Sequence, residues 1–256
     1  MLTTPVARPA ASVILLRDGP HGLEAWLMRR VVGMAFAGGM TVFPGGRVDP
    51  SDSDPGIATV GGDVEALARR LGESAEDARA ALVAAARELF EETGVLLCRP
   101  MPTGATGVLR RQLEDRSMSF ADVLGEVGGA LDLDALYPWA RWVTPGSEPR
   151  RYDTHFYLAE LPRDAEADDD TSEAAAAHWL GVRAALAEAA AGTRLMLPPT
   201  LVMLRDLAPF DSVQQALDVA PKRPLDAVRP VLEAGQNGLL ARLPDGSTLP
   251  MPAPRE

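Results

Sequence analysis

The stretch Arg87-Glu88-Leu89-Phe90-Glu91-Glu92-Thr93-Gly94-Val95 carries three glutamates related by i, i+3 and i+4. On an α-helix those spacings share one face, with Cβ atoms about 5–6 Å apart, so Glu88, Glu91 and Glu92 crowd their carboxylates together. A divalent cation turns that repulsion into attraction; without one, the same triad is a solvated charged face. Leu82, Ala86, Leu89 and Phe90 follow the helical period and supply an apolar stripe that seats the helix on a core. Arg87 lies one turn ahead of Glu91 and is placed to brace it. Ser74 or Ala75 opens the helical pattern, Glu76 and Asp77 fill its first turn, and Gly94 stops it.

Composition limits what such a face can serve. The 256 residues include 25 basic and 36 acidic side chains, a formal charge of −11, which disfavours duplex nucleic acid as a partner. Lys222 is the sole lysine and no Gly-Lys-Ser/Thr occurs, which excludes a P-loop. Cys98 stands alone and cannot close an internal disulfide, and His21, His155 and His178 lack zinc-ligand spacing. Any metal must therefore be held by carboxylates, which points to Mg²⁺ or Mn²⁺. No apolar run approaches the roughly 18 residues of a membrane span, and Met1 to Pro5 shows no signal-peptide pattern, so a cytoplasmic protein without a membrane partner is expected.

Outward from the glutamates, Ser12 to Arg17 and Leu23 to Arg30 read as a hairpin, and Met40 to Phe43 as a short strand that stops at Pro44-Gly45-Gly46. Residues 47–75 form an excursion with a short helix at Val64 to Leu71. Val95 to Cys98, Trp139 to Val143, Tyr152 to Leu161 and His178 to Leu180 are further strand segments. Helical segments are expected over Gly107 to Leu124, 182–191 and 198–207. The tail, 208–256, reads as a short helix and a hairpin formed by Val228 to Leu232 and Gly238 to Leu243. Strands interleaved with helices favour a mixed α/β sheet covered on both faces, and no Gly-x-Gly-x-x-Gly supports a Rossmann arrangement.

The string Arg-Glu-apolar-x-Glu-Glu-x-Gly-apolar, preceded by a Phe-Pro-Gly-Gly turn, resembles the Nudix hydrolase family. Its box reads Gly, five residues, Glu, seven residues, then that string. Gly46 matches the opening glycine, and Arg87, Glu88, Leu89, Glu91, Glu92, Gly94 and Val95 match the second half. Gly46 and Arg87 are 41 positions apart where the box has 14, so 27 extra residues interrupt it. Counted back from Arg87, the middle glutamate falls on Arg79, with Glu73 and Glu76 as the nearest acids. The resemblance implies a Nudix-type α/β/α sandwich with a mixed sheet over 1–207, an insertion at about 47–75, and 208–256 as a C-terminal extension packed on the same domain. It also implies metal-dependent hydrolysis of a diphosphate, with Glu88, Glu91 and Glu92 as ligands of Mg²⁺ or Mn²⁺. Glu91 and Glu92 lead that set, and Glu173 is a candidate base beside a solvated acidic turn at Asp168 to Asp170.

Arg30, Gly39 and Phe43-Pro44-Gly45-Gly46 also resemble part of the signature of Nudix enzymes that cleave coenzyme A, while Val31 and Ala35 depart from it. Trp142-Val143-Thr144-Pro145 and Pro149 to Thr154 extend that likeness. The substrate implied is a small-molecule diphosphate, foremost coenzyme A or an acyl-coenzyme A, with Gly45 and Gly46 at the site. Arg30, Arg150 and Arg151 are placed to meet its phosphates. Three alternatives stay open: a Nudix-fold module that binds a nucleotide metabolite without cutting it, a diphosphatase for a dinucleotide, and one for an ADP-sugar. A homodimer and a tail wrapped on its own domain fit the sequence equally.

Overall fold

Residues 10–16 read Ala-Ala-Ser-Val-Ile-Leu-Leu, a largely apolar run buried on both faces, which is the pattern of a central strand. It forms β1 (Arg8–Gly19), and the turn before Gly22 returns it as β2 (Gly22–Arg30). The computed structural model describes residues 5–20, 22–33, 37–171, 174–236 and 238–252. Then follow β3 (Thr41–Val42), β4 (Gly45–Arg47), a 3-10 turn (Pro50–Ser53), β5 (Thr59–Val60), α1 (Val64–Leu71) and α2 (Ala75–Thr93). The middle of the chain forms β6 (Cys98–Arg99), α3 (Gly107–Glu114), α4 (Phe120–Glu126), β7 (Ala130–Asp132), β8 (Tyr137–Val143) and β9 (Tyr152–Glu160). The last part holds β10 (Ala174–Gly181), α5 (Val182–Ala190), α6 (Pro198–Leu207), α7 (Val213–Val219), β11 (Ala227–Val228), β12 (Val231–Gly235), β13 (Gly238–Arg242) and β14 (Thr248–Pro250).

The main sheet runs β10-β2-β1-β9-β8-β11, with β3 added to β2 and β4 to β1. It is mixed: β9 pairs with β1 in parallel, while β2, β4 and β8 make antiparallel pairs. Alternate side chains divide the core. Ala11, Val13 and Leu15 join Trp26, Met28 and the buried side of α2, with α1, α3 and α4 in the same layer. Ile14 and Leu16 join Ala25, Leu27 and the layer made by α5, α6 and α7. This is the α/β/α sandwich expected from the sequence.

One edge of β1 is shared. Leu16 to Gly19 pair with β2, whereas Ala10 to Ser12 pair with β4. Between them Val13 N–H donates to Pro44 O at 2.9 Å. The sheet therefore splays at Val13, and β4 carries Gly45 and Gly46 into the gap beneath α2. The expected stop at Pro44 is thus a two-residue interruption, Phe43 and Pro44. Proline cannot donate, but its carbonyl accepts, and the strand resumes at once.

Other boundaries shift for local reasons. Val95 to Leu97 are buried without strand pairing, and only Cys98 and Arg99 join β7. The helical segment from Gly107 to Leu124 is two helices: Arg116 takes a φ of 64°, and Ser119 caps a new start by accepting from Asp122 N–H. In the tail, Val228 pairs with β8 of the main sheet, and the hairpin of β12 and β13 gains a third strand, β14. Among the described residues no helix is long and apolar enough to cross a membrane.

Candidate active site

Helix α2 sets the site. Ser74 caps its start by accepting from Asp77 N–H, and Gly94, at φ 74°, closes its end with its N–H on Phe90 O. Alanines along its middle let it lie close on the sheet. That depth brings Glu92, only 3% exposed, against the Pro44-Gly45 turn, where Gly45 N–H donates to Glu92 Oε2 at 2.6 Å. The bond joins two halves of the motif that lie 47 residues apart.

Gly46 and Glu88 meet at the same seam. A Cβ on Gly46 would stand 2.3 Å from Glu88 Oε1, so the carboxylate lies where a larger residue would push it aside. Gly45 has its own constraint: its φ is 154°, and a Cβ there would lie 2.4 Å from Ala11 O.

Arg87 organises the acidic face. Its Nε and Nη2 donate to Asp52 Oδ1 and Oδ2 at 2.7 and 3.0 Å, a bidentate pair with both partners buried. Nη1 donates to Glu88 Oε1 at 2.9 Å and to Glu91 Oε1 at 3.2 Å, and Nη2 also reaches Arg47 O at 3.1 Å. Burial works against the guanidinium charge, but the hydrogen bonds to Asp52 and the charges of Glu88, Asp52 and Glu91 more than offset it, so the group is held far above its usual range. Burial also raises the Glu91 carboxyl above its ordinary value, opposed by Arg87.

Asp52 is the residue that the sequence reading missed. Counted back from Arg87, the box finds Arg79; counted forward from Gly46, its sixth position is Asp52. The extra residues therefore fall after the acidic place, not before it. Asp52 is 1% exposed, and its Oδ2 also accepts from Asp49 N–H at 2.7 Å. Arg79 instead fastens the excursion, its guanidinium donating to Asp54 O and Ile57 O. Glu73 pairs with Arg141 at 2.7 Å, and Glu76 sits in the first turn of α2.

A second clasp holds the far end of the helix. Arg110, 3% exposed, donates through Nε to Glu91 O at 2.9 Å and pairs through Nη1 with Asp168. Asp168 N–H donates to Thr93 O at 3.0 Å. Asp168 was expected in a free solvated turn. Its side chain is 58% exposed, yet it ties that turn to the end of α2 through a buried arginine. Glu173, five residues on, lies outside the described residues, as do His21 and Ala35.

The expected phosphate-binding arginines lie apart from one another in role. Arg30 ends β2 on the face of Trp26 and Met28, toward α2, and pairs in register with Ala174. Arg151 spends its guanidinium on Thr144 O and Pro5 O, at 3.1 and 2.5 Å. Arg150 is exposed in the turn before β9.

Hard oxygen donors gathered along one helical turn, with a glycine where any Cβ would collide with Glu88, suit Mg²⁺ or Mn²⁺. The carboxylates are turned to Arg87 and Gly45 rather than onto a common point. Among the described residues no three acidic or imidazole groups converge as a ready cage. Holding a cation thus requires Glu88 and Glu91 to swing from Arg87 Nη1, a side-chain motion that leaves the Asp52 pair intact.

Residues 59–207 match the family model described as the NUDT19 Nudix domain. The chain is 27% identical to the acyl-coenzyme A diphosphatase NUDT19 of Gallus gallus over 95% of its own length and 80% of that protein's. It is 28% identical to the putative nudix hydrolase 7 of Caenorhabditis elegans, over 90% of its length and 70% of the relative's. A crystal structure of a NUDIX hydrolase from Alicyclobacillus acidocaldarius superposes with a TM-score of 0.71 at 28% identity, covering 84% of this chain and 97% of that one.

Proposed function

The chain belongs to the Nudix hydrolase family as a diphosphatase, and from that premise we propose that it cleaves the diphosphate of coenzyme A or an acyl-coenzyme A with a divalent cation. The observation that carries the reading is the seam between Gly45-Gly46 and the acidic face of α2, where the Gly45 N–H anchors Glu92 and Glu88 lies against Gly46. The partial coenzyme A signature at Arg30, Gly39 and Phe43 to Gly46, together with the named activity of the avian relative, supports that substrate.

In this reading Glu88, Glu91 and Glu92 hold the cation, either Mg²⁺ or Mn²⁺. Such an ion supplies Lewis acidity to the paired phosphates and to the attacking water. The chain's own residues set the geometry. Gly45 N–H fixes the Glu92 carboxylate, Arg87 holds Glu88 and Glu91 in reach, and Asp52 keeps Arg87 from collapsing onto them. Glu173 is proposed from the sequence as the proton acceptor. Arg30, which extends β2 toward the same side, is proposed to meet a substrate phosphate, with Arg150 as a second candidate. Arg151 is the weakest of the three, since its fork is committed to carbonyls.

The non-catalytic alternative rests on a missing middle acid and on the 27-residue interruption of the box; Asp52 in the acidic place speaks against the first, and the interruption stands. We read residues 1–207 as the hydrolase domain and 208–256 as part of the same folded unit, since Val213, Ala216, Leu217, Leu243 and Leu249 enter the layer on the α6 side. A small-molecule substrate and a cytoplasmic setting complete the proposal.

The test is direct. Purified protein is incubated with coenzyme A and millimolar Mn²⁺ in water enriched in ¹⁸O, and products are weighed by mass spectrometry. Phosphopantetheine and adenosine 3′,5′-diphosphate are expected, with the label in one of them. Cleavage of a dinucleotide or ADP-sugar in preference to coenzyme A would overturn the substrate assignment.

A further inference from the structure

On the sheet face away from α2, a cavity of about 230 Å³ opens between β2, β3, β10 and the turn after α5. Its lining includes Arg29, Thr41, His178, Thr193 and Arg194. The face follows from register: Arg29 continues the series Ala25, Leu27 on the α5 side, and His178 pairs with Leu27 across β2 and β10. Two guanidinium groups thus share one concavity in a chain whose net charge is −11.

Their charges are unequally met. Arg194 is largely buried, its Nε bound to Glu188 Oε2 at 2.8 Å, Nη1 to Thr41 Oγ1 at 3.3 Å and Nη2 to His178 Nε2 at 3.3 Å. That leaves one hydrogen on each terminal nitrogen for another acceptor. Arg29 is exposed at the rim and, among the described residues, its guanidinium makes no hydrogen bond or ion pair. A preorganised guanidinium beside a free one is a fork for a tetrahedral oxyanion. The volume falls below that of pockets for whole drug-sized ligands and suits a head group.

The geometry points to a phosphate-binding subsite here, distinct from the α2 centre, in which Arg29 and Arg194 grip a phosphate group. It connects to that centre through the backbone. Thr41 N–H donates to Leu195 O at 2.7 Å, and β3 runs within four residues into Gly45, which anchors Glu92. The phosphate is either a remote monoester of the substrate or a separate effector.

Inorganic phosphate is titrated calorimetrically into the full chain, free of divalent cations and at fixed ionic strength, with R29Q, R29K and R205Q beside the wild type. Arg205, an exposed arginine on α6, controls for loss of one charge. Affinity should fall about tenfold or more in R29Q, less in R29K, and stay at the wild-type value in R205Q. Equal binding by R29Q and R205Q, or no binding by the wild type at about 10 mM phosphate, would overturn the proposal. This arm reads binding without turnover, so it stands apart from the substrate assignment. Kinetics then separate the sources. A substrate subsite raises KM in R29Q only for the substrate that carries the remote phosphate. An effector site instead gives a phosphate-dependent rate change that R29Q abolishes.

Discussion

Replacing Asp52 by Asn tests whether the excursion holds the catalytic face in place. The substitution keeps the shape but removes the charge that faces Arg87 at 2.7 and 3.0 Å, and both partners are buried. Removing one partner of a buried pair costs about 3–5 kcal/mol, because the other charge is left uncompensated. Here Glu88 and Glu91 still face Arg87 Nη1, and Asn can accept one of the bonds, so a loss nearer about 3 kcal/mol is expected. For a chain of 256 residues that corresponds to a Tm lower by roughly 6–12 °C. The guanidinium, freed on one side, should also lean on Glu88 and Glu91 and compete with a cation, raising the Mn²⁺ concentration for half-maximal rate several-fold. Calorimetry and a Mn²⁺ titration of activity read the two effects separately. Should D52N melt within about 1 °C of the wild type and keep its Mn²⁺ dependence, the bracing role of Asp52 would be wrong.

Gly46→Ala should displace the Glu88 carboxylate, since a Cβ would stand 2.3 Å from its Oε1, and shift the Mn²⁺ dependence of the rate several-fold with little change in Tm; steady-state rates beside a melting curve check this. Glu92→Gln should leave the Gly45 bond an acceptor and the Tm within about 1–2 °C, yet cut kcat by orders of magnitude, because the charge is lost. Arg110→Met strands the Glu91 carbonyl and frees the Asp168 turn, a loss of about 2–3 kcal/mol in denaturant unfolding. Burial raises the Glu91 carboxyl, so it stays protonated to higher pH than a free glutamate. A cation needs the ionised form, and Mn²⁺ affinity should therefore weaken as pH falls from 7 toward 5 in a calorimetric titration.

Much of this was legible in the chain because its signals are local. Ser74, Gly94 and the periodic alanines fix α2 within a residue, and the spacing of Glu88, Glu91 and Glu92 fixes their common face. The α1 helix and α6 also fall at the bounds expected of them. What escaped was non-local. The strand character of Gly45 to Arg47 comes from pairing with Ala10 to Ser12, since two glycines have no strand preference of their own. Asp52 lay hidden among Asp49, Ser51, Ser53 and Asp54, a run that reads as loop, and only its contact with Arg87 separates it from its neighbours. The sixth-place count from Gly46 was the available signal. Arg110 and Asp168, 58 residues apart, had none, because nothing in either neighbourhood names the other.

The face of α2 beside Gly45 and Gly46 is proposed to receive a divalent cation. Anomalous diffraction from a crystal grown with Mn²⁺ measures this directly. Peaks bounded by carboxylate oxygens of Glu88, Glu91 and Glu92, with Glu88 and Glu91 rotated away from Arg87 Nη1, are the predicted result. A map without density there, with both side chains still on Arg87, would contradict it.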